Sequence, residues 1–193
     1  MSETNRFASY CCLLKKVFSK PIRKLTAALH YFAKAVFLII QSSLFLTMES
    51  METLQAEIID EFSFFEDWTQ RYEHLIELGK TVPLIDSQYK TDRNLISGCQ
   101  SKVWIHARLE GDQVVFTADS DAIITKGIIA LLLRVFSNQR PADIISCSIH
   151  FIDEIGLKAH LSPTRANGLM AMIKQLKLYA VGYQTQLNTP SNG

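Results

Sequence analysis

The sequence predicts an α+β domain, an antiparallel sheet of about three strands packed against helices. Three observations predict it. Apolar residues recur at helical spacing at both ends of residues 51 to 186, two-residue alternation marks the stretch between, and no βαβ alternation joins them. Met51, Leu54, Ile58, Phe62 and Phe65 set out a first helix. Ser63 with Glu66 has the capping-box pattern, in which hydroxyl and carboxylate satisfy each other's orphan amides. A second helix is therefore expected to start there, with Phe65, Trp68, Tyr72, Leu75 and Leu78 on its apolar face. Gly79 is read as its left-handed stop and Pro83 as the block to its resumption.

Residues 86 to 97 are polar and aperiodic, a loop leading into Gly98. Val103, Ile105, Ala107 and Leu109 then alternate with Lys102, Trp104, His106 and Arg108. Glu110-Gly111-Asp112 turns the chain into Val114-Val115-Phe116-Thr117, which makes a hairpin with one buried face. Ser120 or Asp121 is expected to cap the next helix, whose run from 123 to 136 is apolar almost all round and so belongs at the centre of the core. A short helical turn after Pro141 and a third strand over residues 146 to 151 follow, with Ile145, Cys147, Ile149 and Phe151 on one face. Ser162-Pro163 announces the last helix, a cap followed by proline in the first turn, running through Leu169, Ile173, Leu176 and Ala180. Residues 187 to 193 read as a frayed tail.

With 48% hydrophobic and 20% charged residues, the 193-residue chain has the make-up of a single globular domain. The formal net charge of +1 divides unevenly: residues 1 to 50 hold seven Lys/Arg against two Glu, a net of +5, which leaves −4 for the rest. An acidic body without a basic stripe argues against nucleic acid as a partner, because phosphate binding needs clustered Lys and Arg. The apolar stretch of the basic extension, residues 35 to 46, is too short for a bilayer span of roughly 20 apolar residues, and no membrane partner is expected. A basic, acid-poor segment fits a targeting peptide, yet no clear small-residue cleavage site follows. The favoured reading is a start at Met48 or Met51 and a cytoplasmic protein, with organellar targeting by residues 1 to 50 as the alternative.

Cys11, Cys12, Cys99 and Cys147 show neither the C-x-x-C pairs of a zinc or redox site nor a disulfide framework. Such thiols fit a reducing compartment. Cys99 follows a glycine at the junction of a polar loop and the first strand, where a side chain projects into solvent or a shallow pocket. Backbone amides there, with Lys102 close in sequence, are expected to lower its pKa from the free value of about 8.5 and so raise the thiolate fraction. A buried cysteine acting as a small hydrophobe is the alternative, against which its polar neighbours speak. Cys147, between two isoleucine positions of the expected third strand, reads as structural.

Four segments stand in order along the chain: Ile76-Glu77-Leu78-Gly79, Gly98-Cys99-Gln100-Ser101-Lys102-Val103-Trp104, Ser120-Asp121-Ala122-Ile123-Ile124-Thr125-Lys126-Gly127, and Leu161-Ser162-Pro163-Thr164-Arg165-Ala166-Asn167-Gly168-Leu169. Through them the chain, over about residues 54 to 179, resembles the SufE-type activators of cysteine desulfurases. The resemblance implies a SufE/IscU-like fold and a sulfur carrier and activator, not an enzyme, with no cofactor or metal of its own. Its expected partners are a pyridoxal-phosphate-dependent cysteine desulfurase of SufS type and an iron–sulfur scaffold of SufBCD type. The family's persulfide-bearing cysteine falls on Cys99 and its arginine ahead of the last helix on Arg165. Gly98, Gln100, Asp119 and Asp121 are expected contacts to the desulfurase, although the two aspartates most simply cap the central helix. Scaffold proteins of similar fold hold a cluster or zinc with several cysteines; a single plausible ligand thiol favours a carrier.

His106 shares a strand face with Trp104 and Arg108 and is the candidate base near the thiol, with an ordinary surface histidine as the alternative. Arg165 in the first turn of a helix opposes the macrodipole, so a role near the thiol or at an interface would compensate. His74, His150 and His160 have no metal-ligand spacing. Three other functions fit Cys99: nucleophile of a thiol hydrolase or peroxidase, acceptor for a related desulfurase feeding another sulfur pathway, or part of a regulator that accepts no sulfur. Because a persulfide is easily lost to reductants and oxidants, the resting thiol is expected to turn inward. Its shelter would be the central or final helix, under the loop of residues 92 to 98, with Arg165 near the rim.

Overall fold

A computed structural model describes residues 49 to 189; the extension's apolar stretch, Cys11, Cys12 and residues 190 to 193 lie outside the described residues. Helix α1 (Met51–Ser63) starts at Ser50, whose hydroxyl accepts from the Thr53 amide at 3.1 Å, and buries Met51, Leu54, Ile58 and Phe62 as their spacing requires. Helix α2 (Trp68–Gly79) is capped by Asp67, which accepts from the Gln70 amide at 2.9 Å. The expected Ser63 cap is thus corrected. Ser63 still belongs to α1, where its hydroxyl donates to the Asp60 carbonyl, and the chain needs residues 64 to 67 to turn before α2 begins.

Gly79 is not a left-handed stop either: α2 ends at Lys80 with an ordinary right-handed φ of −74°. The glycine serves packing. Helix α3 (Ile123–Phe136) crosses α2 so closely that a Cβ on Gly79 would lie 3.0 Å from the Gly127 nitrogen, and one on Gly127 would lie 2.1 Å from the Leu75 carbonyl oxygen. Ile128, Ile129, Leu131, Leu132, Leu133, Val135 and Phe136 of α3 are all buried, as expected of the core's central helix.

Strands β1 (Val103–Glu110) and β2 (Gln113–Ser120) pair antiparallel from Val103↔Ser120 to Glu110↔Gln113, turning at Gly111 with φ +63°. Val103, Ile105 and Ala107 face the core with Val114, Phe116 and Ala118. These are the two strands of the sheet among the described residues. The third strand expected over residues 146 to 151 is absent: α4 (Pro141–Ser146) and the single turn α5 (Phe151–Glu154) flank an irregular link. The side chain of fully buried Gln55 takes the place of a strand neighbour there. Its Nε2 donates to the Ser148 carbonyl at 3.1 Å and its Oε1 accepts from the His150 amide at 2.9 Å.

A two-stranded sheet suffices because other groups occupy both edges. On β2, Ala118 bonds to Pro83 and Ile85, and Val114 bonds to Asn138 and Gln139. On β1, the Ile96 amide donates to the Val103 carbonyl at 2.8 Å. Beyond it, Tyr179 and Tyr183 of helix α6 (Pro163–Asn188) donate to the Ile105 and Ala107 carbonyls at 3.0 and 2.7 Å. Tyrosines four apart on a helix meet carbonyls two apart on a strand, so α6 is docked along β1. As expected, α6 starts at Ser162-Pro163, the serine hydroxyl accepting from the Arg165 amide. It runs past the expected frayed point to Asn188. No helix among the described residues is long and apolar enough to cross a membrane.

The α2–α3 crossing yields a test. Alanine normally stabilises a helix interior over glycine by about 1 kcal/mol, but Gly127→Ala drives a methyl into the α2 backbone, and overpacking of this kind costs about 3 kcal/mol. Urea denaturation is expected to show a lower midpoint for the variant. An unchanged or raised midpoint would contradict the crossing.

Candidate functional site at Cys99

The loop before β1 carries two 3₁₀ turns, Ser87–Tyr89 and Asp92–Asn94, and is tied to β1 by the Leu95 bridge to Trp104 and by buried Ile96. Ser97 and Gly98 are left exposed, and Gly98 holds φ +88° with no atom within 4 Å of where a Cβ would stand. The left-handed glycine turns the chain so that Cys99 points back toward the protein, half-buried against the cluster of core residues. Its Sγ donates to the Gly168 carbonyl of α6 at 3.6 Å. Thr125 and Ile128 of α3, Met172 and Arg165 of α6, and Gln100 and Ser101 complete the crevice. Its free space is about 20 Å³, room for about one water molecule.

Burial pushes the Cys99 thiol above its ordinary pKa. This corrects the lowering expected from loop amides and Lys102. Lys102 does not line the crevice, and its own amide donates to the Asp121 carboxylate at 2.9 Å. The structure therefore presents a protonated, sheltered thiol, with Arg165 at the rim. Among the described residues the Arg165 guanidinium has neither an ion-pair nor a hydrogen-bond partner, so its charge is uncommitted.

His106 is not in this crevice. Strand alternation turns it to the face opposite α3, where its ring stacks on Tyr89 at 3.8 Å between centroids and lines a separate groove with Leu84, Thr117 and Tyr183. Burial there, helped by the Arg108 charge, lowers its pKa. The candidate base near the thiol is thus corrected.

Asp119, expected at a partner surface or as a helix cap, is buried. Its carboxylate accepts from Lys90 at 2.5 Å, Lys126 at 2.8 Å and the Ser120 amide at 2.8 Å, tying the loop ahead of Cys99 to β2 and α3. Burial alone would raise its pKa, but the bonds from Lys126, Lys90 and Ser120 outweigh it and hold the carboxyl below its usual range. The N-cap of α3 is Ala122, whose amide donates to Ser120 Oγ at 3.2 Å, so neither aspartate caps that helix. Asp121 is exposed and braces Lys102, and Gln100 is exposed at the crevice mouth.

Cys147 is half-buried but leans on Gln55 and the Ser148 carbonyl, its thiol pushed up by burial and the Glu52 charge against smaller opposing effects of Lys177 and Gln55. His74 pairs with Glu61, His150 lies near Glu52 and Glu154, and His160 stacks on Trp68. No group of three or more His, Cys, Asp or Glu among the described residues is placed to hold a metal. Gly168, Thr125, Ile128 and Met172 are crevice residues that sequence reasoning missed. A glycine in the second turn of an otherwise regular helix was the available signal for Gly168.

Asp119 has a measurable consequence. A carboxyl with a lowered folded pKa adds stability above its unfolded pKa, about 3.9, and loses it as pH falls through the lower folded value. Asp119→Asn should cost about 2 kcal/mol at neutral pH, the range of a hydrogen bond to a charged group, and its deficit against the parent should shrink in acid. A deficit that does not change with pH would contradict the charged anchor.

Comparison with known proteins identifies the family and supports the fold. Residues 56–180 match the family model SufE, described as an Fe-S metabolism associated domain. An uncharacterized SufE-like protein of Rhizobium meliloti is 39% identical over 131 residues, which cover 65% of this chain and 94% of that protein. Another from Rhizobium etli is 36% identical over 126 residues, covering 63% and 85%. In fold, the chain is similar to the solution structure of a hypothetical protein from Thermus thermophilus, with a TM-score of 0.59 and 21% identity over 68% of this chain and 96% of that one. Cys99, Gly168 and Arg165 all fall inside the matched span, and the chain belongs to the SufE family, carrying its Fe-S metabolism associated domain.

Proposed function

We propose that Cys99 accepts sulfur as a persulfide from a pyridoxal-phosphate-dependent cysteine desulfurase of SufS type, and that the chain stimulates that enzyme and passes the sulfur to an iron–sulfur scaffold of SufBCD type. The observation that carries this reading is the Cys99 crevice itself: a thiol on an exposed left-handed turn, folded against two helices beside an uncommitted arginine. In the transfer, the Cys99 thiolate attacks the terminal sulfur of the desulfurase persulfide. A new S–S bond forms on Cys99, the desulfurase S–S bond breaks, and the desulfurase cysteine leaves as a thiolate.

Rate in such an exchange follows thiolate fraction and access, and the resting crevice restricts both. Docking must therefore expose the thiol. Gly98 is placed to allow it, with open space around it and a φ that only glycine adopts freely. Once the sulfur leaves the crevice, Arg165 at the rim offers a positive charge to the thiolate. A reducing cytoplasm, which keeps free thiols available, is the compartment this chemistry fits. A thiol hydrolase would need a base beside the nucleophile, and among the described residues no histidine lines the crevice.

Incubation with a cysteine desulfurase and L-cysteine should add one sulfur mass to the peptide holding Gly98 to Lys102. Cys99→Ser should reduce that label to background and abolish stimulation. Label on Cys147 alone would overturn the assignment, and full stimulation by Cys99→Ser would make the chain a regulator, not an acceptor.

A further inference from the structure

Gly168 stands inside α6, where glycine is a poor choice: it loses more conformational freedom on folding than any other residue and adds no side-chain packing. It is buried, and a Cβ built on it would meet Cys99 before anything else, at 3.1 Å from Sγ, 3.3 Å from Cα and 3.5 Å from Cβ. Its carbonyl oxygen is also the acceptor of the thiol. We propose that Gly168 is a positioning residue for the sulfur-accepting cysteine, its missing side chain forming the seat and its carbonyl the latch that holds the Cys99 thiol inward. The inference deepens the sulfur-acceptor reading and rests on it for its biological purpose.

The latch distinguishes protonation states. A carbonyl oxygen only accepts, so it bonds a thiol S–H and repels a thiolate. Around the seat, α3 contributes Thr125 and Ile128, the loop contributes Gln100 and Ser101, and α6 contributes Met172; among the described residues the one charged group lining the crevice is Arg165, exposed at its rim. Thr125 is itself engaged with Ser101 at 3.1 Å. A seated cysteine is thus held neutral, in line with the raised pKa that burial gives it. Losing the proton and leaving the seat favour each other.

A methyl at position 168 fills the seat from the helix side. The helix is regular and anchored by Tyr179 and Tyr183, whereas Gly98 has open space, so the loop is what gives way. Gly168→Ala should therefore keep the fold and release the thiol. Alkylation of Cys99 by a bulky maleimide should accelerate by about tenfold or more, the shift in a seated-to-released balance that one overpacked methyl produces. The midpoint of its pH profile should fall toward that of the unfolded chain. Gly182→Ala is the matched control, a helical glycine of the same α6 with no atom within 4 Å of its would-be Cβ, and should leave rate and midpoint at parent values.

A Gly168→Ala protein with the parent's rate and pH midpoint, or an equal shift in Gly182→Ala, would overturn the proposal. Should Gly168→Ala fail to fold, Cys99→Ala in the same chain should recover folding, because it removes the nearest obstructing atom, Sγ at 3.1 Å, and leaves a loop free to shift by a few tenths of an ångström. Failure of that double variant to recover would equally overturn it. Alkylation needs no desulfurase, so a failed shift here leaves sulfur acceptance standing, and failed acceptance leaves this readout unaffected.

Discussion

Helix α3 is apolar on nearly every side, and water must be kept from each of them. Burying a Leu, Ile or Phe side chain is worth roughly 1.5–3 kcal/mol, and α3 buries Ile128, Ile129, Leu131, Leu132, Leu133 and Phe136 together. One neighbour cannot cover such a helix. Helices α1 and α2 cover one flank, with Gly127 and Gly79 letting α2 approach to backbone contact; the β1–β2 hairpin covers another; α6 closes a third. The hairpin needs no further strands because loops and the hydroxyls of Tyr179 and Tyr183 occupy its edges. At the open N-terminal turns of α3, beside Thr125 and Ile128, the covering layers leave a small crevice, and Cys99 fills it.

The site follows from that arrangement. A thiol placed where α3, α6 and the loop before β1 converge is partly desolvated, and so is held in its less reactive form. On the proposed function this shelter would protect a bound sulfur between partners. On the same reading, transfer requires motion, and the exposed part of the loop beside Cys99 is where it would fall. Ile96 and the Asp119 anchor hold the loop's body, whereas Ser97 and Gly98, between Ile96 and Cys99, are exposed. A short, defined hinge between fixed points can expose one side chain without unfolding the domain.

Much of this was legible in the sequence. Periodicity located α1, α2, α3 and α6 and the β1–β2 hairpin, because each buries a face whose spacing repeats over several turns or residues. It failed at residues 146 to 151. There alternation of apolar residues suggested a strand, but the backbone partners came from Gln55, about ninety residues earlier in the chain, and nothing local announces such a contact. The start of α2 was misread, Ser63 for Asp67, because two nearby residues could cap it; at Gly79 the helix end was located, but the glycine serves the close approach to α3 and not a left-handed turn. Cys99 and Arg165 were found by motif and meet in one crevice. The electrostatics were misjudged because proximity in sequence put Lys102 and His106 beside the thiol, while β1 directs His106 to the other face and Lys102 lines no part of the crevice. Asp119 looked like a surface charge because the lysines that bury it, Lys90 and Lys126, come from a loop and a helix on either side of the hairpin.

On the proposed function, Cys99 is a sheltered acceptor thiol exposed on docking. This is tested most directly by the rate at which a bulky reagent alkylates Cys99 in the free folded chain, in the urea-unfolded chain, and in the presence of a cysteine desulfurase whose own persulfide-forming cysteine has been replaced. A sheltered thiol should be modified slowly in the free folded chain, fast in the unfolded one, and faster in the folded chain when the silent desulfurase is added. Equal rates in the folded and unfolded chains would contradict it.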